Sequence, residues 1–284
     1  MRADSVSTAL ATTTVTIVLH HALRTYYDTR RQKAWIVTTL SSAVTTFGSL
    51  PFLWDVVQSG GDVTALQPRR ALAAIVCRTF QGLLLADLII GCRYYREHVT
   101  LCWGWIHHSS YIILLHYLLR SGAAHCFCLA AFMELPTLHL ALSFLHPRLR
   151  HDVLFCGLFL ATRILFHLAL IVAFSTTLGR SVVGGNPLPV VFLGMAFPGH
   201  VMWFTQSVRG TMRRGRSKSI SISQPAEIKA DFPSTPTEEL SGSWSSASSD
   251  SDSDLSSESE LTTPTFEASG PTWDAIVDLP TIVL

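Results

Sequence analysis

Two adjacent histidines, His107 and His108 in WGWIHHSSYIILLHYLL, are the residues whose type and spacing best suit chemistry in this chain. Imidazole gains and loses a proton near neutral pH, so such a ring serves as general base or acid once a substrate reaches it. Asp87, in LLLADLII, precedes His107 by 20 residues and is of the type that orients an imidazole. Glu134, Arg163, His139 and His200 are further ionisable groups in apolar stretches, as are Arg78, His116 and His167. An ionisable group in such surroundings is costly enough to be a functional suspect by default. Neighbouring helix positions point about 100° apart, so one histidine of the pair faces a site while the other packs or bonds a backbone carbonyl. Glu134 with Arg163 reads as an ion pair, either part of a binding site or structural glue. His116, His167, His20 and His21 read as helix-contact histidines. No helix offers His, Asp or Glu ligands at i, i+4, and Cys126 and Cys128 point in different directions, so neither a metal nor a cofactor is expected.

The elements that position these groups are apolar helices. Of the 284 residues, 48% are hydrophobic and 14% charged, which excludes an ordinary soluble domain. Seven apolar stretches, at about 6–23, 34–57, 71–92, 101–119, 122–144, 153–176 and 187–207, each approach the roughly 20 residues that cross a hydrocarbon core. The first is Thr-rich and also suits an interfacial anchor, which leaves six or seven spans; RTYYDTRRQK after it lacks the small residues of a signal cleavage site. Seven crossings with a cytosolic C-terminus put 13 Lys and Arg in inner segments against 5 outside, which predicts a lumenal N-terminus. The predicted class is an all-α membrane protein. Residues 1–33 hold the weak first segment and a basic loop, 34–208 the multi-span domain, and 209–284 a cytosolic tail.

The tail is basic at first. It then carries 11 Ser and 5 acids in SGSWSSASSDSDSDLSSESE, a composition expected to be disordered. Ser249, Ser251 and Ser257 each precede an acid by three residues, and Ser217 and Ser219 follow arginines, so kinases are expected partners; an unselected solvated tail is the equal alternative. The net charge of +1 gives no reason to expect nucleic acid. The six cysteines lie in or beside the apolar stretches, against a disulfide framework.

Counting about 1.5 Å per helical residue puts Asp87 and the histidine pair roughly 9 Å below the cytosolic boundary, and Glu134 and Arg163 at about 15 Å. His139 and His200 fall in the same half. The expectation is a cavity open to the cytosolic leaflet, lined by Asp87 and the histidines and closed by Glu134 with Arg163.

The ordered set LLLADLIIG, WIHHSSYIILL, FMELPTLHLAL, ATRILFH and VMWFTQSVRG, across residues 34–208, resembles the TLC-domain family of multi-span membrane proteins that includes the ceramide synthases. The resemblance implies a lumenal N-terminus, a cytosolic C-terminus and residence in the endoplasmic reticulum. The synthases carry an H-D-x-x-D signature after the histidine pair, where this chain has FMELPTLHLAL. It therefore resembles the non-synthase branch, tied to membrane lipid composition and trafficking. Three functions follow as expectations. One is handling of acyl lipids without robust catalysis, with membrane lipids as partners and an oligomer formed through the helices. The second is an acyltransferase taking acyl-CoA as substrate, with His107 or His108 as base and Asp87 orienting it. The third is a seven-helix receptor, although Lys33, Lys218 and Lys229 all lie outside the spans and exclude a retinal Schiff base.

Overall fold

A computed structural model describes residues 3–96, 99 and 101–223, so Ser249, Ser251 and Ser257 lie outside the described residues. Residues up to Gly215 form one compact unit; residues 216–223, the end of the last helix, belong to a second. Among the described residues every regular element is helical.

The long helices are α1 (Ala3–Leu23), α2 (Arg30–Gln58), α3 (Arg70–Tyr94), α4 (Leu101–Ile106 running into His107–Ser121), α5 (Ala124–Leu145), α6 (Asp152–Ser175) and α7 (Leu188–Ser223), with a short helix, Thr177–Ser181, before α7. They overlie the seven predicted apolar stretches, and α7 runs on past residue 207. Five of them, α2, α3, α5, α6 and α7, are long and apolar enough to cross a membrane. α4, 21 residues long with its π-helical turn, carries His107, His108 and His116 among its apolar residues.

Thr12, Thr13, Thr14 and Thr16 each donate to the carbonyl four residues back, which hides their hydroxyls inside α1. Thr13 Oγ1 also lies 3.1 Å from the Gly82 carbonyl of α3. α2 does the same on a buried stripe of small residues: Ser42 donates to Thr38, Thr45 to Ser41 and Ser49 to Thr46. Such stripes let helix backbones approach closely. α2 packs against α3 and α5, where Trp35 stacks on Phe144 at 4.4 Å, and α3 carries α1 on one side and α4 on another.

The periphery is different in kind. In the most apolar window of α3, 67% of residues are buried, against 28% in α6 and 11% in α7. Leu165, Leu168, Val172, Val191, Met195 and Met202 stand exposed along those two helices. Apolar surface of this extent on the flank of a bundle suits a hydrocarbon surround and would associate in water.

At the α1–α3 contact a β-carbon on Gly82 would come within 2.5 Å of the Ala9 carbonyl oxygen. Gly82→Val is expected to separate α1 from α3 and cost about 1–3 kcal/mol by overpacking, read as a lower midpoint of thermal unfolding in detergent. Gly157→Val, with open space around that position, is expected to leave the midpoint unchanged.

Candidate functional site

Two departures from regular helix build the centre of the bundle. In α5, Pro136 lacks an N–H and the preceding turn, Ala131–Glu134, tightens into a 3-10 helix, which leaves a carbonyl free for another donor. In α6, residues Leu160–Phe166 form a π-helical segment that carries Arg163. The guanidinium meets the break in α5: Nε donates to the Met133 carbonyl at 2.9 Å, and Nη2 to Glu134 Oε1 at 2.9 Å and Thr137 Oγ1 at 2.7 Å. Arg163 is 1% exposed, and its charge is balanced by the Glu134 carboxylate.

The remaining arm of Arg163 fixes two histidines. Nη1 donates to His200 Nε2 at 3.0 Å, so that nitrogen must be an acceptor and the His200 proton sits on Nδ1. His200 Nδ1 lies 2.8 Å from His167 Nδ1, and His167 Nε2 lies 3.0 Å from the Leu193 carbonyl. Only one arrangement satisfies every group: Arg163 donates to His200, His200 to His167, and His167 to the backbone, with both rings neutral.

The Asp87 group is separate. His108 Nδ1 is 2.7 Å from the Gly104 carbonyl and its Nε2 is 3.1 Å from Asp87 Oδ2, while the Tyr95 hydroxyl donates to Asp87 Oδ1 at 2.9 Å. Both nitrogens of His108 are thereby occupied, and the ring is 2% exposed. His107, one position earlier, turns the other way, onto the Tyr111 ring at 4.7 Å, and no protein partner for its nitrogens is found among the described residues.

A cavity of about 360 Å³ lies between α3, α4, α5, α6 and α7. His107, Tyr111, Glu134, His167 and His200 form its polar end, and Phe80, Leu118, Phe127, Phe174 and Phe192 its apolar remainder. Two lining residues are exposed, Ser110 on α4 and Met195 on α7, so the cavity opens sideways between these helices. Beyond that opening Asn186 Nδ2 donates to the Tyr117 hydroxyl at 2.8 Å and joins the strip before α7 to α4.

No family model, no curated protein and no solved structure matches this chain.

Of the residues singled out from sequence, His107, Glu134 and His200 line the cavity, while Asp87, His108 and Arg163 stand behind its wall. His139 is apart from it, stacked on Phe155 with both ring nitrogens buried and without a partner. The cavity departs from the expected shape: its apolar part extends toward the α4–α5 and α6–α7 connections, away from the Arg148, Arg150 and Arg214 end. Asp87, Tyr95 and His108 are instead bonded to one another outside the lining. His167, expected as a helix contact, belongs to the lining. Its i, i+4 spacing from Arg163 was the available signal, since both then face one side of α6. His116 is exposed on the outside of α4, and Arg78 donates to Gln81 within α3. Among the described residues no group of three or more His, Cys, Asp or Glu is placed to hold a metal ion.

Glu134→Ala leaves the buried guanidinium without a counter-charge and is expected to cost about 3–5 kcal/mol. Glu134→Gln, which keeps a hydrogen-bond acceptor, is expected to cost less; reversible unfolding in mixed micelles distinguishes them. In ¹⁵N-histidine spectra near neutral pH, His200 is expected as the Nδ1–H tautomer and His167 as the Nε2–H tautomer. The reverse assignment would contradict the chain of donors.

Proposed function

We propose that the chain is a multi-pass membrane protein of the TLC-domain type that binds single acyl lipids and so influences membrane lipid composition. The observation that carries this reading is the sideways opening of the cavity between Ser110 and Met195. Ser110 lies near the middle of α4 and Met195 two turns inside the start of α7, so in a bilayer the opening meets hydrocarbon rather than water. A lipid enters such a site without crossing an aqueous phase, its chain toward Phe127, Phe174 and Phe192 and its head toward His107 and Glu134. In this reading the helices make seven crossings with a lumenal N-terminus and cytosolic C-terminus, the protein resides in the endoplasmic reticulum, and the serine-rich tail is open to kinases.

One observation favours a second reading, acyl transfer from acyl-CoA. His107 presents its ring to the cavity with nitrogens unclaimed among the described residues, as a general base toward an acceptor hydroxyl or amine requires. The Asp87 contact weakens it, because the carboxylate holds His108 and not the ring that faces the cavity.

Wild-type protein purified in mild detergent is expected to carry about one acyl lipid per chain by mass spectrometry. Leu114→Trp, which fills the cavity from α4, is expected to lose it while unfolding at the wild-type midpoint. Protein that purifies without lipid and takes none up from vesicles would contradict the binding reading. Incubation with labelled acyl-CoA separates the two readings: transfer that disappears in His107→Ala would make the site catalytic.

A further inference from the structure

The polar end of the cavity is electrically balanced, and that restricts what it holds. Its lining includes one acid, Glu134, and neither lysine nor arginine. The positive charge next to it, on Arg163, gives four of its five N–H groups to Met133, Glu134, Thr137 and His200, is 1% exposed and stands outside the lining, so a ligand in the cavity does not meet the guanidinium directly. His200 and His167 are held neutral by the donor chain that starts at Arg163. Arg163 and Glu134 thus sum to zero at this level of the bundle.

A carboxylate or phosphate head placed here would face Glu134 with no cation to compensate it. An ammonium head would compete with Arg163 for Glu134 and leave one positive charge buried in excess. Either cost exceeds what one hydrogen bond returns in a low-dielectric setting. An uncharged hydroxyl meets neither penalty. It donates to Glu134 or accepts from Ser110 and Tyr111, and it pairs with the ring nitrogens of His107, which no described residue claims, while one hydrocarbon chain fills the part lined by Leu118, Phe127 and Phe174.

We infer that the cavity selects single-chain lipids with an uncharged hydroxyl head, of the long-chain alcohol or monoacylglycerol kind, over fatty acids and fatty amines of the same chain. The inference rests on the lipid-binding reading above and names the class of ligand within it. It also sets acyl-CoA, with its phosphates, outside the cavity.

The test is equilibrium binding of four radiolabelled probes with one common chain, oleyl alcohol, monoolein, oleate and oleylamine, to the full chain in detergent at neutral pH. At least one of the two hydroxyl probes is expected to bind saturably and at least tenfold more tightly than oleate or oleylamine. The stronger of the two tells a bare alcohol from a glycerol head. His107→Phe, which keeps an aromatic ring and removes both nitrogens, is expected to reduce that preference to less than threefold while the chain still binds. Oleate or oleylamine binding as tightly as the hydroxyl probes would overturn the head-group inference and leave the lipid-binding reading standing. Failure of all four to bind would overturn both.

Discussion

The buried guanidinium of Arg163 is the constraint on which the middle of this bundle depends. A cation with 1% exposure must have every N–H satisfied and its charge matched, or it destabilises the fold by several kcal/mol. Regular helices do not offer a free carbonyl at that depth. The chain supplies one by tightening α5 at Ala131–Glu134 ahead of Pro136, and it aims the arginine by widening α6 through Leu160–Phe166. Non-helical backbone of this kind is tolerated at membrane depth where protein buries it. The irregularities of α5 and α6 are two halves of one contact.

That contact also decides what chemistry remains. Because Arg163 donates to His200, and His200 to His167, the rings of α6 and α7 are locked as neutral members of a donor chain that ends at the Leu193 carbonyl. Asp87 is similarly committed, to Tyr95 and His108. Of the polar groups gathered near the cavity, His107 alone combines a place in the lining with nitrogens that no described residue claims. A catalytic reading must therefore run through His107, and through a histidine without the orienting carboxylate that usually accompanies such a base.

Much of this was legible in the sequence, for reasons that can be named. Helices made of about 20 apolar residues announce themselves by length, and opposite charges at equal depth on consecutive helices, Glu134 and Arg163, leave few alternatives to pairing. The assignment of histidines was not legible. His107 and His108 differ by one position and about 100° of rotation, and the π-helical turn at Leu101–Ile106 just before them resets the phase by an amount that no periodicity reveals. His167 was legible in part, through its i, i+4 spacing from Arg163, while its place in the donor chain also depends on the π-helical segment that precedes it. Small-residue spacing on α2, from Thr38 through Ser42, Thr45 and Ser49, was a signal present in the sequence for the close packing of that face.

The packing gradient from α3 to α7 gives the cavity its access. α7 is held at separated points: Arg214 donates to Asp152 at 2.8 Å, His200 joins the Arg163 chain, and Asn186 before it bonds Tyr117. Between His200 and Asn186 its flank toward α4 carries Met195 and Ala196 on the cavity wall, and few of its residues are buried. Separating Met195 from Ser110 breaks no hydrogen bond and exposes little that was not already exposed. Local motion is easiest where buried contacts are few, so the α4–α7 seam is the part of the bundle that gives way at least cost. The clamps on either side keep that movement from disturbing Arg163. A rigid polar centre and a loosely closed apolar flank are thus consequences of one arrangement, in which the ion pair is placed deep and α7 is tied at that depth, at the Leu193 carbonyl and near its ends.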